Sequence, residues 1–465
     1  MKQIKIMMFS KRKIKRNLII ISTSSIGIYL LISLYFTNHF FFHTEINGIN
    51  TSLKAHDNLS SFINNYIKNY ELQLIERNGV TEVITSQDIG MQQNKNSPIS
   101  RVNHMQNPLL WIGSLFKKMD RFYINDLYDY NEDLLNNKIN HLKCLNEKIT
   151  EPRNVDFKYY NGSYDIVKEI DGNKINKINF VKAINQYISE GKQKLDLNIM
   201  NCYENPKYTI SSKKTMSAKN LLNRYVTTKI TYRFGNVTEQ LDGTTIHQWL
   251  SIDENLDITI NKEEVAKYVT SLSKKYDTVG IIREFHSSTG KMVELQGGLY
   301  GWKINREEET DALYNNIKQA TVIEKEPIYL QKAFSREGNE IGNTYIEINI
   351  TKQHLWYYKD GKLIVQGSVV TGNPNRGHAT VLGVYMVEYK QKGATLTGPG
   401  YEAEVTYWMP FFGNIGLHDA SWRYRFGRDI YLRRGSHGCV NAPIYLAKTV
   451  YENIEEGTPV IVYEE

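Results

Sequence analysis

The chain has 465 residues, 41% of them hydrophobic and 23% charged. That is the make-up of a globular protein of about two to four domains and excludes a disordered chain. The net charge of +7 comes from one end: Lys2, Lys5, Lys11, Arg12, Lys13, Lys15 and Arg16 precede the first acidic residue, Glu45, and the other 50 basic residues cancel the 50 acidic ones. A basic nucleic-acid-binding face is therefore excluded, and the positive charge is a tail.

That tail, residues 1–17, runs into "NLIIISTSSIGIYLLISLYF", residues 17–36, which carries no charge. A helix needs about 20 such residues to cross a bilayer, so a transmembrane helix is expected over 18–37. A cleaved signal peptide has a shorter apolar core and a small-residue cleavage site. Here "TNHFFFHTEI" follows instead, and its aromatics suit a membrane interface. The clustered lysines and arginines put the N-terminus in the cytoplasm and everything after the helix outside.

Beyond the helix, Leu59, Phe62, Ile63, Tyr66, Ile67 and Tyr70 recur at helical spacing. The stretch "RNGVTEVITSQDIGM" (77–91) has a later counterpart in "FGNVTEQLDGTTIHQWL" (234–250). Likewise "FKYYNGSYDIVKEIDGNKINKINFVKAINQYI" and "REFHSSTGKMVELQGGLYGWKINREEETDALYNNI" both read strand, turn, strand, turn, helix. Asn261 and Glu264 stand in capping-box spacing ahead of Val265, Val269, Leu272 and Tyr276. Two α+β modules are expected, at 44–205 and 206–325, in tandem because two copies are too few for a solenoid. His104, His141, His247 and His286 are scattered through them without a motif and read as surface or core histidines.

Residues 326–342 are polar and broken by Pro327, Gly338 and Gly342, the composition of a linker. The pattern then changes to strands. "TYIEINITKQHLWYY" and "KLIVQGSVVTG" flank Asp360-Gly361, a two-residue hairpin signal. "GVYMVEY", "AEVTYWM" and "TPVIVYE" continue it, with one helix, "APIYLAKTVYENIEE". The segment 343–465 is expected to be a mostly-β domain, in which His354 and His378 read as structural.

This domain holds Cys439, one of three cysteines, in "RRGSHGCVNAP". Cys144 and Cys202 are compatible with a disulfide or with two buried thiols. A thiol attacks carbonyls as thiolate and needs a base nearby. His437, two residues before Cys439, shares its side if the stretch is extended, and His418 approaches only through folding. Gly438 lets the backbone come close to a bound carbonyl and offer N–H groups to an oxyanion. Thiol, imidazole, hydroxyl and bare backbone together suit acyl transfer. A zinc site from His418, His437 and Cys439 lacks CxxC or HxxxH spacing and a fourth ligand.

"GLHDASWRYRFGRDIYLRRGSHGCVNAP" resembles the signature of the YkuD-family L,D-transpeptidases: a histidine, a variable stretch, then Ser/Thr-His-Gly-Cys, an apolar residue and Asn or Arg. The likeness extends over 343–465, including "KQHLWYYKDGKLIVQGSVVTGNP" and "YWMPFFGNIGLHDASWR". The upstream modules resemble the peptidoglycan-binding domains that precede this catalytic domain in Gram-positive enzymes. One departure is Thr380-Val381-Leu382-Gly383 after "GHA", where the family often has Thr-Pro-Thr-Gly.

The resemblance implies a β-sandwich-like domain with the cysteine in a cleft partly lidded by a loop. It implies Cys439 as nucleophile and His418 as general base and acid, with backbone N–H groups of His437, Gly438 and Cys439 as oxyanion hole. Ser436, His437 and Asn441 shape the pocket, and Tyr407, Trp408, Asp419 and Trp422 are candidates for the substrate cleft. The implied partners are peptidoglycan stem peptides and glycan, with the membrane reached through the single N-terminal helix. The implied reaction is 3→3 cross-linking through a cysteine acyl-enzyme with release of D-Ala, without metal, ATP or other cofactor. L,D-carboxypeptidase activity and attachment of a protein amine would use the same acyl-enzyme, and a non-catalytic wall-binding protein is the remaining alternative. No arginine or histidine follows Cys439, which argues against a sortase and an NlpC/P60 peptidase.

Overall fold

A computed structural model describes residues 2–97, 106–124, 126–398 and 401–465; His104 lies outside them. The chain forms two compact units, 1–156 with 166–215, and 157–165 with 216–465.

In the first unit a helix covers Lys2–Tyr35, and its stretch Lys13–Tyr35 is long and apolar enough to cross a membrane. Those 23 residues extend about 35 Å at 1.5 Å per residue, against a hydrocarbon layer of about 30 Å. The helix Leu59–Lys68 buries Leu59, Ile63 and Ile67, every fourth residue. It leads into the hairpin Glu71–Ile75 and Thr81–Thr85, and Lys194–Asp196 runs parallel to the first of these strands. A parallel neighbour requires a crossover, supplied by the helix Lys177–Ser189. Asn176 caps that helix by accepting the Asn179 N–H. Phe180, Ile184 and Ile188 close on Leu72, Leu74 and Ile84 in one core.

The second unit repeats this topology. The hairpin Lys229–Phe234 and Val237–Leu241 is joined on its first strand by the parallel Val322–Lys325, after the helices Lys262–Tyr276 and Arg306–Gln319. Asn261 accepts the Glu263 and Glu264 N–H groups, and Glu264 pairs with Lys267 at 2.6 Å. The carboxylate of Glu309 is fully buried and ties the repeat together, accepting from Tyr232 Oη (2.6 Å), Lys325 Nζ (2.7 Å) and the Ile328 N–H (2.7 Å).

Residues 326–342 are not a free linker. Tyr329–Gln331 pairs with Lys303–Ile304, and the Arg336 guanidinium lies 4.5 Å from the Trp302 ring. Ala333 and Ile341 enter a core with Phe285, Tyr300, Trp302, Val384, Ile461 and Tyr463, so the second module and the C-terminal domain share buried surface. Proline and glycine mark the turns of this segment, while its sparse apolar residues pack. Glu347, also fully buried, accepts from the Ser288 N–H (2.8 Å), Ser288 Oγ (2.5 Å) and Tyr463 Oη (2.7 Å), which adds polar links to the same junction.

The C-terminal domain has two sheets. One is ordered Lys362–Ser368, His354–Lys359, Tyr345–Asn349, Pro459–Tyr463, Gly383–Met386. The other is Gln391–Gly398, Tyr401–Phe412, Ile415–Asp419, Val440–Ala442. Asp360 (φ 50°) and Gly361 (φ 76°) both take the left-handed conformation a two-residue hairpin demands. Tyr357, Met409, Leu417, Val440 and Val460 meet the helix Ile444–Asn453 through Leu446 and Val450 in the core.

Candidate active site

Strand pairing brings the reactive groups together. Ile415–Asp419 runs parallel to Val440–Ala442, with Leu417 opposite Val440 and His418 opposite Asn441. Side chains alternate across a strand. Leu417 and Val440 are fully buried in the core, which leaves Gly416, His418 and Asn441 on the other face. One step back along the register, Cys439 falls beside Gly416, two residues before His418. The 21 residues separating His418 from Cys439 in the sequence are thus bridged by adjacent strands.

The turn that presents the thiol is tied down on both sides. Gly438 has φ 122°, which strains any other residue. Ser436 Oγ accepts the Gly438 N–H at 3.1 Å and donates to the Cys439 carbonyl at 2.5 Å. Thr380 Oγ1 donates to the Gly438 carbonyl at 2.7 Å and accepts the Gly372 N–H at 2.9 Å. Without the family's proline, the loop after "GHA" still anchors the cysteine turn through Thr380. The Gly438 N–H, expected as an oxyanion donor, is instead committed to Ser436.

His418 is 3% exposed. Its Nδ1 lies 2.8 Å from the Asp419 carbonyl, which only accepts, so Nδ1 carries the proton and Nε2 keeps the basic lone pair. The Trp408 and Trp422 rings stand 5.8 and 6.0 Å from the imidazole. Burial pushes the His418 pKa below its ordinary 6.5, against the opposing pull of Asp419. Burial also pushes the Cys439 pKa above its ordinary 9.0, partly offset by a hydrogen bond from the Gly416 backbone. Cys439 Sγ lies 3.5 Å from the Asn414 carbonyl. Both shifts favour a neutral thiol and a neutral imidazole at rest.

Cys439, His418, Ser436, His437, Asn441 and Trp422 line one cleft of about 480 Å³. Two of the expected cleft residues, Tyr407 and Asp419, face elsewhere, and Trp408 backs His418 on the cleft side without lining the cleft itself. Tyr407 belongs, with Met409 and Phe411, to the core-facing set of its strand, and its ring lies 5.2 Å from Tyr451. Trp408 is buried with its Nε1 3.3 Å from Tyr389 Oη. The Asp419 carboxylate turns back to accept the Thr406 and Tyr407 N–H groups at 2.8 and 2.7 Å, and only its carbonyl serves the histidine.

The opposite wall consists of residues that sequence reasoning missed. Leu396, Glu402, Ala403 and Glu404 come from the hairpin Gln391–Gly398 and Tyr401–Phe412, so strands form this side of the cleft. Their signal was the alternation in "EAEVTY". Arg423, next to Trp422, also lines the cleft. Its Nη1 donates to the Arg434 carbonyl at 2.7 Å, its Nε is buried with no partner among the described residues, and burial lowers its pKa. The side-chain oxygen of Asn441 is likewise buried and unpartnered among them.

Among the described residues no three His, Cys, Asp or Glu side chains gather as a metal site requires. All three cysteines are free thiols. Burial raises the pKa of Cys144 and of Cys202, the latter to about 11.

Residues 343–462 match the YkuD family, described as "L,D-transpeptidase catalytic domain". Residues 83–196 and 208–323 each match the family described as "Putative peptidoglycan binding domain". The Bacillus subtilis protein named "Putative L,D-transpeptidase YciB" is 25% identical over 129 residues, which are 26% of this chain and 66% of that protein. The chain therefore spans just under two thirds of that curated relative. A crystallised cysteine-to-serine mutant of Enterococcus faecium L,D-transpeptidase is 34% identical, covering 54% of this chain and 100% of that one, with a TM-score of 0.43. The catalytic domain of the Enterococcus faecium enzyme, solved by NMR and acylated by ertapenem, is 41% identical over 26% of this chain and 98% of its own length, with a TM-score of 0.25.

Proposed function

Because the chain belongs to the L,D-transpeptidase family, with a YkuD catalytic domain behind tandem peptidoglycan-binding domains, we propose that it forms 3→3 cross-links in peptidoglycan through an acyl-enzyme on Cys439. The observation that carries this reading is the pairing of Ile415–Asp419 with Val440–Ala442, which aligns Cys439 and His418 on one face in one cleft.

His418 Nε2 takes the thiol proton as Cys439 Sγ attacks the carbonyl of the third residue of a tetrapeptide donor stem. Concerted transfer suits a pair that burial keeps neutral at rest. The oxyanion meets the Cys439 N–H at the turn held by Ser436 and Thr380. Collapse breaks the peptide bond, and His418 returns the proton to the departing D-Ala amine. The side-chain amine of a third residue on a second stem then attacks the thioester, giving its proton to His418 and releasing the thiol. The cleaved peptide bond supplies the energy of the new one.

Trp422, Asn441 and His437 shape the pocket, and Arg423 meets a stem carboxylate. The upstream modules hold the wall polymer. The Lys13–Tyr35 helix anchors the chain in the cell membrane, with the basic tail in the cytoplasm and the catalytic domain facing the wall.

Incubating the protein with disaccharide-tetrapeptide and weighing the products tests the reading. The expected product has the mass of two substrates less one D-Ala. Disaccharide-tripeptide as the sole product would identify a carboxypeptidase, and unconsumed substrate would overturn the proposal.

A further inference from the structure

The first unit carries an apolar surface that the reaction does not use. Pro108–Phe116 is a run of 3₁₀ turns capped by Asn107, whose side chain accepts the Leu109 N–H at 3.1 Å. Only Trp111 and Ser114, three residues apart, are buried. Leu109, Leu110, Ile112, Leu115 and Phe116 turn outward, Leu110 being 65% and Phe116 86% exposed. This is the reverse of a segment built for water, which turns its apolar side chains in.

On its inner side the segment packs against the N-terminal helix. Tyr29 Oη donates to the Leu109 carbonyl, and the Tyr29 and Trp111 rings stack at 6.0 Å. Phe36 and Phe41 complete the cluster. Tyr29 lies six residues before Tyr35, the last residue of the apolar stretch. At 1.5 Å per residue that is about 9 Å below its end, within the hydrocarbon layer if the helix spans it. Lys117 and Lys118 follow directly, with Lys117 3.0 Å from Asp120, the polar flank expected at a headgroup layer.

We propose that Pro108–Phe116 docks into the outer leaflet beside the anchor, placing Leu110, Ile112, Leu115 and Phe116 among the acyl chains. The inference rests on the anchor reading given above and adds a second attachment point. The first module is then held against the bilayer instead of swinging on a single helix.

The test uses the full chain with Cys439→Ala, in vesicles of phosphatidylcholine and phosphatidylglycerol whose acyl chains carry bromine. An environment-sensitive fluorophore is attached at Leu110→Cys or Phe116→Cys. Ile20→Cys in the helix and Val80→Cys in an exposed turn of the same unit are the references. Emission at both segment positions should be quenched as strongly as at Ile20, and emission at Val80 should not be. Quenching at Ile20 alone would overturn the docking and leave the anchor standing. Blue-shifted but unquenched emission at Leu110 and Phe116 would mean that protein, such as a second copy of the chain, covers the segment, and would also overturn it. No quenching at Ile20 either would overturn the anchor together with the docking.

Discussion

The Thr380 hydroxyl offers the sharpest test of how the cysteine turn is held. It donates to the Gly438 carbonyl at 2.7 Å and accepts the Gly372 N–H at 2.9 Å, and all three residues are buried. Thr380→Val keeps the side-chain volume but leaves two buried polar groups without partners. Each such group costs about 1–3 kcal/mol, so the variant should lose about 2–4 kcal/mol after partial relaxation. For a unit of this size each kcal/mol lowers the melting temperature by about 2–4 °C, which places the expected drop at roughly 4–16 °C. Displacing Gly438 also shifts Cys439, and a misplacement of about 1 Å can slow chemistry by about 100-fold. Acylation by ertapenem, followed by stopped-flow on the folded protein, should therefore fall by about 10- to 100-fold. Thr380→Ser retains the hydroxyl and should recover most of both losses. A Thr380→Val protein that melts and acylates like wild type would refute the idea that this hydroxyl sets the turn.

Acylation should be flat from about pH 6.5 to 9, because burial lowers the His418 pKa from 6.5 and raises that of Cys439 from 9.0. Only below pH 6.5 should protonation of His418 remove the base, and thiolate absorbance at pH 7 in wild type minus Cys439→Ala would contradict a neutral resting pair. Asp419→Ala should lower stability by about 2–4 kcal/mol through the orphaned Thr406 and Tyr407 N–H groups, read by denaturant titration, with little change in donor KM. A raised KM at unchanged stability would instead put this carboxylate in the cleft. Arg423→Gln should raise the KM for donor stems by about 10- to 100-fold, the worth of one charge-assisted hydrogen bond, and should leave stems amidated at the recognised carboxylate unaffected; equal effects on both would remove Arg423 from substrate binding.

Much of this architecture was legible because local signals agree with the fold. Asp360-Gly361 marks its hairpin by itself, the apolar spacing of Leu59, Ile63 and Ile67 marks a helix, and the duplicated layout around residues 77–91 and 234–250 announces a repeated module. Cys439 and His418 could be singled out from residue type, but the strand pairing that joins them depends on contacts across 21 residues. Tyr407, Trp408 and Asp419 were expected in the cleft because they lie in the stretches that resemble the family around His418. Strand alternation sends Tyr407 to the core, and the Thr406 and Tyr407 N–H groups hold the Asp419 carboxylate away from the cleft. Residues 326–342 read as a linker because proline and glycine dominate the local signal, whereas Ala333 and Ile341 find their partners only in distant Phe285 and Val384. The alternation in "EAEVTY" marks a strand but not the cleft it walls, and the outward face of Pro108–Phe116 has no local signature, since both roles depend on what lies opposite.

The central claim is that one thiol of three carries the acyl group, and intact-mass measurement after ertapenem exposure tests it directly. Wild type should gain one drug mass, and Cys439→Ala should gain none. The burial-raised Cys144 and Cys202 thiols, retained in both proteins, serve as the internal control. His418→Ala should gain the adduct far more slowly, if at all, within the same exposure. An adduct that persists on Cys439→Ala would contradict the assignment of Cys439 as nucleophile.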